Sequence, residues 1–91
     1  MKYTVETIIK IYSMREEIRE SGSISMLDLV LDAERYIKKA GLSSKQMSTL
    51  QLYCEGYTMR EIAERYGVNK STVSREIATI KKSIQKIIDK P

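Results

Sequence analysis

An all-α fold, a bundle of five helices closing on a long last one, is what this 91-residue chain predicts, and three observations predict it. Between successive breaks the apolar residues recur at three- and four-residue spacings, the period of a helix with one buried side. The only proline is Pro91, and no long Gly/Ser linker or internal repeat interrupts the chain. Ser43, Thr58 and Asn69 are residue types that cap helix N-termini, and the first two stand in S/T-x-x-Q/E boxes.

The first helix is expected over residues 4–20, with Val5, Ile8, Ile9, Tyr12 and Ile18 mostly along one side, and Ser-Gly-Ser at 21–23 breaks it. The second covers residues 25–39, turns Met26, Leu29, Val30, Ala33 and Ile37 inward, and ends at Gly41. Ser43-Ser44-Lys45-Gln46 opens the third, whose apolar positions include Met47, Leu50, Tyr53 and Cys54 and which Gly56 closes. Thr58-Met59-Arg60-Glu61 opens a short fourth over residues 59–66, with Ile62, Ala63 and Tyr66 inward and Gly67 as its stop. Asn69 caps the last, which runs to about residue 89. Beta-branched residues crowd its start, yet Val73, Ile77, Ile80, Ile84 and Ile87 are spaced 4, 3, 4 and 3 apart. That is a heptad seam and not the alternation of a strand. Residues 1–40 thus form an N-terminal helical pair for packing, dimerisation or partner binding. Residues 41–91 form the rest of one compact domain.

Composition narrows the function classes. At 42% hydrophobic and 31% charged residues, the chain suits a soluble helical domain and is too apolar for a disordered one. The lone Cys54 cannot form an intramolecular disulfide, which suits a reducing cytoplasm. No apolar run approaches the ~18–20 residues of a membrane span, and the first residues take on charge too soon for a signal peptide. An enzyme is not expected: histidine is absent, Cys54 sits at an apolar helical position, and Glu16, Glu17, Asp28 and Asp32 lie beside arginines as surface ion pairs do. Neither metal-ligand spacing nor a phosphate-binding glycine loop is present, so no cofactor is expected.

The charge is uneven. Residues 1–41 hold seven Lys/Arg and seven Asp/Glu, whereas residues 42–91 hold nine and five and supply the whole +4. A basic excess on one element is the footprint of nucleic acid or another polyanion, and equally of a solvated lysine-rich tail.

The segment YTMREIAERYGVNKSTVSREI, residues 57–77, adds a geometric pattern. A helix-turn-helix needs a small residue where its helices cross, a residue tolerant of left-handed backbone in the turn, and apolar locks between the helices. Ala63, Gly67 four residues later, and Ile62, Val68, Val73 and Ile77 meet those needs. The opposite face of the last helix then shows Lys70, Ser71, Thr72, Ser74, Arg75, Ala78 and Thr79. Short side chains let such a helix sink into a major groove. Arg75 can grip guanine through two bonds, and Ser71, Thr72, Ser74 and Thr79 can bond base edges. Lys70, Lys81 and Lys82 are the expected phosphate contacts from this helix, and Tyr57, Thr58 and Arg60 from the start of the preceding one.

Gly41 to Ile84 resembles the DNA-binding domain shared by sigma factor region 4 and regulators of the LuxR/NarL type. Leu42-Ser43, then Leu50 and Tyr53 before Glu55-Gly56-Tyr57-Thr58, then Glu61-Ile62-Ala63, Gly67-Val68 and Thr72-Val73, carry the likeness. It implies a tetrahelical helix-turn-helix whose helix from Asn69 or Lys70 enters the major groove. Nothing resembles a receiver domain or the sigma region that binds the −10 element. The whole is similar to small stand-alone sigma-like regulators of phages and mobile elements, so a small activator or repressor is expected. Two rivals are a phage DNA-packaging recognition subunit, which would form a ring, and an adaptor that binds RNA polymerase or a sigma factor through residues 1–40. Ile80, Ile84, Ile87 and Ile88 need cover, either from residues 1–40 or from a second copy. A homodimer would read a two-fold symmetric site with half-sites about one turn apart or a multiple of it.

Overall fold

The computed structural model describes residues 3–90, and every regular element among them is an α-helix. There are six: α1 (Val5–Ser13), α2 (Arg15–Ser21), α3 (Ile24–Lys39), α4 (Ser44–Cys54), α5 (Met59–Tyr66) and α6 (Lys70–Asp89).

The sixth arises because the expected first helix breaks at Met14, whose backbone sits at φ −98°, ψ 7°. Side-chain donors crowd the carbonyls there, and that of Lys10 also keeps its bond from the Met14 N–H at 3.2 Å. Ser13 Oγ donates to the Lys10 carbonyl at 2.7 Å, and Arg15 Nη1 donates to that of Tyr12 at 2.8 Å. Such bonds compete with the helical ladder and bend it. The Arg15 guanidinium also lies 4.1 Å from the centre of the Tyr12 ring. The bend lets α2 lay Ile18 toward α3, on which it packs.

The remaining ends follow local chemistry. Ser23 Oγ accepts from the Met26 N–H at 3.4 Å and starts α3. Both capping boxes form in full. Ser43 Oγ accepts from the Gln46 N–H at 3.1 Å while Gln46 Oε1 accepts from the Ser43 N–H at 2.9 Å. Thr58 and Glu61 exchange the same pair of bonds at 3.1 and 2.9 Å. Asn69 has the extended backbone of an N-cap, but its side chain makes no capping bond.

The core cluster joins Val5, Ile8, Ile9 and Tyr12 of α1, Ala33 and Ile37 of α3, Leu50 of α4, and Ile62 and Ala63 of α5 to one stripe of α6. That stripe is Val73, Ile77, Ile80, Ile84 and Ile88, all buried, and Ile87 is only half-buried. The expected seam therefore shifts by one residue at its end. An unsupercoiled helix turns every 3.6 residues and drifts off a strict 3.5-residue repeat, so Ile88 replaces Ile87 on the inner side. The cover that these isoleucines need comes from α1, α3, α4 and α5 of the same chain.

Candidate nucleic-acid interface

The unit formed by α5, its turn and α6 begins with the way α5 stops. Gly67 lies at φ 66°, ψ 35°, the Val68 N–H bonds the Ala63 carbonyl at 3.0 Å, and the Gly67 N–H bonds that of Glu64 at 3.3 Å. These are the paired bonds of a Schellman motif, which reverses the chain within two residues. Three of the four expected locks are in place, since Ile62, Val73 and Ile77 are buried. Val68 is not one of them: its side chain is 37% exposed. Its N–H is tied to the end of α5, which leaves the side chain on the outside of the turn.

Along α6 the inner stripe fixes what faces out. At 100° per residue, Ser71, Arg75, Ala78, Thr79 and Lys82 form a stripe opposite Val73, Ile77, Ile80 and Ile84, with Thr72 and Ser74 on either flank. All seven are exposed. Among the described residues, no internal side-chain hydrogen bond or ion pair engages Ser71, Thr72, Ser74, Arg75, Thr79 or Lys82. The expected base-reading residues are therefore brought together, unengaged, on the first half of a rigid helix.

The expected phosphate contacts divide. Lys70 and Lys82 on α6, and Thr58 and Arg60 at the start of α5, are exposed. The Thr58 hydroxyl oxygen accepts from the Glu61 N–H, and its O–H can still donate outward. Glu61, at that same helix start, is held below the usual carboxylate range, first by the Thr58 backbone N–H and then by the Thr58 side chain. Lys81 and Tyr57 are half-buried and engaged. The Lys81 ammonium lies 5.5 Å from the centre of the Tyr53 ring on α4, and the Arg65 guanidinium lies 5.0 Å from that of Tyr57.

The structure adds residues to this face. Lys45 and Thr49 on α4 and Glu76 on α6 join Tyr66, Val68 and Thr72 in lining a crevice of about 20 Å³ beside the outer side of α6. The Tyr66 hydroxyl is buried and has no hydrogen-bond partner among the described residues. No spacing within one helix reveals this meeting, because it depends on how α4 crosses α6. Cys54 is half-buried, and burial pushes its thiol up to about 11, so it stays protonated at neutral pH. Among the described residues no three His, Cys, Asp or Glu side chains gather as a metal site, and no helix is long and apolar enough to cross a membrane.

The family model of a homeodomain-like domain matches residues 43–85, from the cap of α4 to the last third of α6. That span, just under half of the chain, is thus supported as a helix-turn-helix domain of the kind associated with DNA binding. The match is to this broad class and does not single out the sigma region 4 or LuxR type. No curated protein and no solved structure matches the chain.

Proposed function

We propose that the chain is a transcription regulator that binds double-stranded DNA sequence-specifically, inserting α6 from Lys70 onward into the major groove. The observation that carries this is the division of α6. One side is filled by the core, while the other presents small hydroxyls around an exposed, unpaired Arg75. Short side chains allow the helix axis to approach base edges, and a guanidinium fits the O6 and N7 acceptors of guanine. On this reading Ser71, Thr72, Ser74, Arg75 and Thr79 read bases. Lys70, Lys82, Arg60 and Thr58 fix the register on phosphates. Tyr57 and Lys81 belong to the same phosphate-binding set, and Lys81 reaches the backbone by leaving the Tyr53 ring.

The likeness to sigma region 4 and LuxR-type domains supports a small cytoplasmic activator or repressor, with RNA polymerase or a second copy as protein partner. Residues 41–91 would act as the reading unit and residues 1–40 as its packing and partner-binding support. The protein works by binding and not as an enzyme.

Selection of bound duplexes from a random pool, at low and near-physiological salt, tests the proposal. An enriched motif that survives the higher salt is expected. Binding that disappears with salt and leaves no motif would reduce the interaction to its polyelectrolyte part and refute sequence reading.

A further inference from the structure

The α6 isoleucines are used up inside the chain, and the unpartnered apolar surface lies elsewhere. On α3, Val30, Ala33 and Ile37 turn into the molecule. Its opposite side exposes Ile24 at 78% and Leu31 at 55%, the two most exposed large apolar side chains among the described residues, with half-buried Leu27 between them. Ile24, Leu31 and Lys38 stand seven residues apart in one row, and Asp28 and Arg35 stand seven apart in the next. The apolar part of this face, Ile24, Leu27 and Leu31, is spaced three and four apart, the spacing by which one helix meets another.

We propose that two copies of the chain pair through this face of α3, antiparallel, about a two-fold axis at Leu31. Since α3 runs Ile24–Lys39, that axis passes through the middle of the helix and the two copies overlap along its whole length. Leu31 then packs on Leu31 of the second copy. Asp28 meets Arg35 of the second copy, and Ile24 lies under the aliphatic stem of its Lys38. Each contact is made twice, as an isologous interface requires. The charges are available for it. Asp28 has no ion pair among the described residues, and the Arg35 side chain is 66% exposed and reaches Asp32 only at 3.8 Å. Antiparallel helices also set opposite dipole ends together. A single helix pair covers less than the ~1,200–2,000 Å² of a standard stable interface, so the dimer is weak and its population follows concentration.

Sedimentation equilibrium of the full chain without DNA, from about 10 μM to about 1 mM, tests this. The mass is expected to rise from 10.5 kDa toward twice that value. Leu31→Glu, which places two carboxylates at the axis, is expected to hold the chain as a monomer. Asp28→Arg and Arg35→Asp are each expected to weaken association about tenfold, and the double exchange to restore it, because the pair is charge-complementary in either sense. These positions are on a helix surface, and far-UV circular dichroism confirms that each variant is folded. A constant monomer mass, growth beyond two copies, single exchanges without effect, or a double exchange no better than the singles would each overturn the proposal. Since no DNA is present, such a result leaves the groove-reading proposal standing on its own test.

Discussion

Replacing Gly67 by alanine probes the turn that aims α6, and its size can be worked from local geometry. An alanine Cβ built at this position meets no atom within 4 Å, so the substitution adds no clash. What remains is the backbone, at φ +66°. An L-residue held in the left-handed region costs about 1–2 kcal/mol. Against that, alanine restricts the unfolded chain and returns about 0.4–1 kcal/mol. The net loss is about 1 kcal/mol, a fall in Tm of about 4–8 °C for a domain of this size. Urea unfolding followed by circular dichroism measures it, with Gly67→Asn as a control that loses less, because asparagine tolerates this conformation better. A loss above about 3 kcal/mol would show that the turn has no room for a side chain. No loss at all would show that the backbone is not left-handed. Either result would refute the reasoning.

Arg75→Ala is expected to weaken specific DNA binding by about 1–3 kcal/mol and to relax preference at one base pair in a competition series; equal weakening on every sequence would make Arg75 a phosphate contact. Lys82→Ala is expected to lower affinity for all duplexes alike and to reduce the slope of log K against log salt by about 1, read by fluorescence anisotropy. Glu61 is held below the ordinary glutamate range in the folded chain, so its share of stability is complete above that range. That share disappears as pH falls through its folded pKa. Glu61→Gln should flatten this acid-side decline in a thermal unfolding series, and an unchanged profile would mean that the carboxylate is not engaged with Thr58. Tyr66→Phe should leave stability unchanged or slightly higher, since the hydroxyl it removes is buried without a partner; a loss above about 1 kcal/mol would reveal a bonded water in the crevice.

Local signals made much of this molecule legible. A capping box is contained within four residues, so Ser43 to Gln46 and Thr58 to Glu61 announced the starts of α4 and α5 without reference to anything distant. Glycine at 67 announced the turn for the same reason. The α6 stripe was readable because five apolar residues repeat on a single helix, although the drift that exchanges Ile87 for Ile88 appears only over several turns. The break at Met14 was not legible. It depends on which carbonyls Ser13 and Arg15 choose, and their spacing is equally compatible with an unbroken helix. The outer face of α6 followed directly from its inner one. Whether an expected phosphate contact is free depended on its neighbours in the folded chain. Tyr53 of α4 holds Lys81 of α6 through tertiary packing, and Arg65 of α5 covers Tyr57 at the start of the same helix.

The division of α6 between inside and outside has a consequence for change over time. The residues that hold the domain together and those that face outward alternate along one rod, at intervals of three and four. Substitutions at Ser71, Thr72, Arg75 or Thr79 touch none of the isoleucines that anchor the rod. On the proposed reading, a new DNA preference could be written on the outer side one position at a time, with the isoleucine stripe kept at every intermediate. The same arrangement makes the helix a natural template for a library in which only those four positions vary.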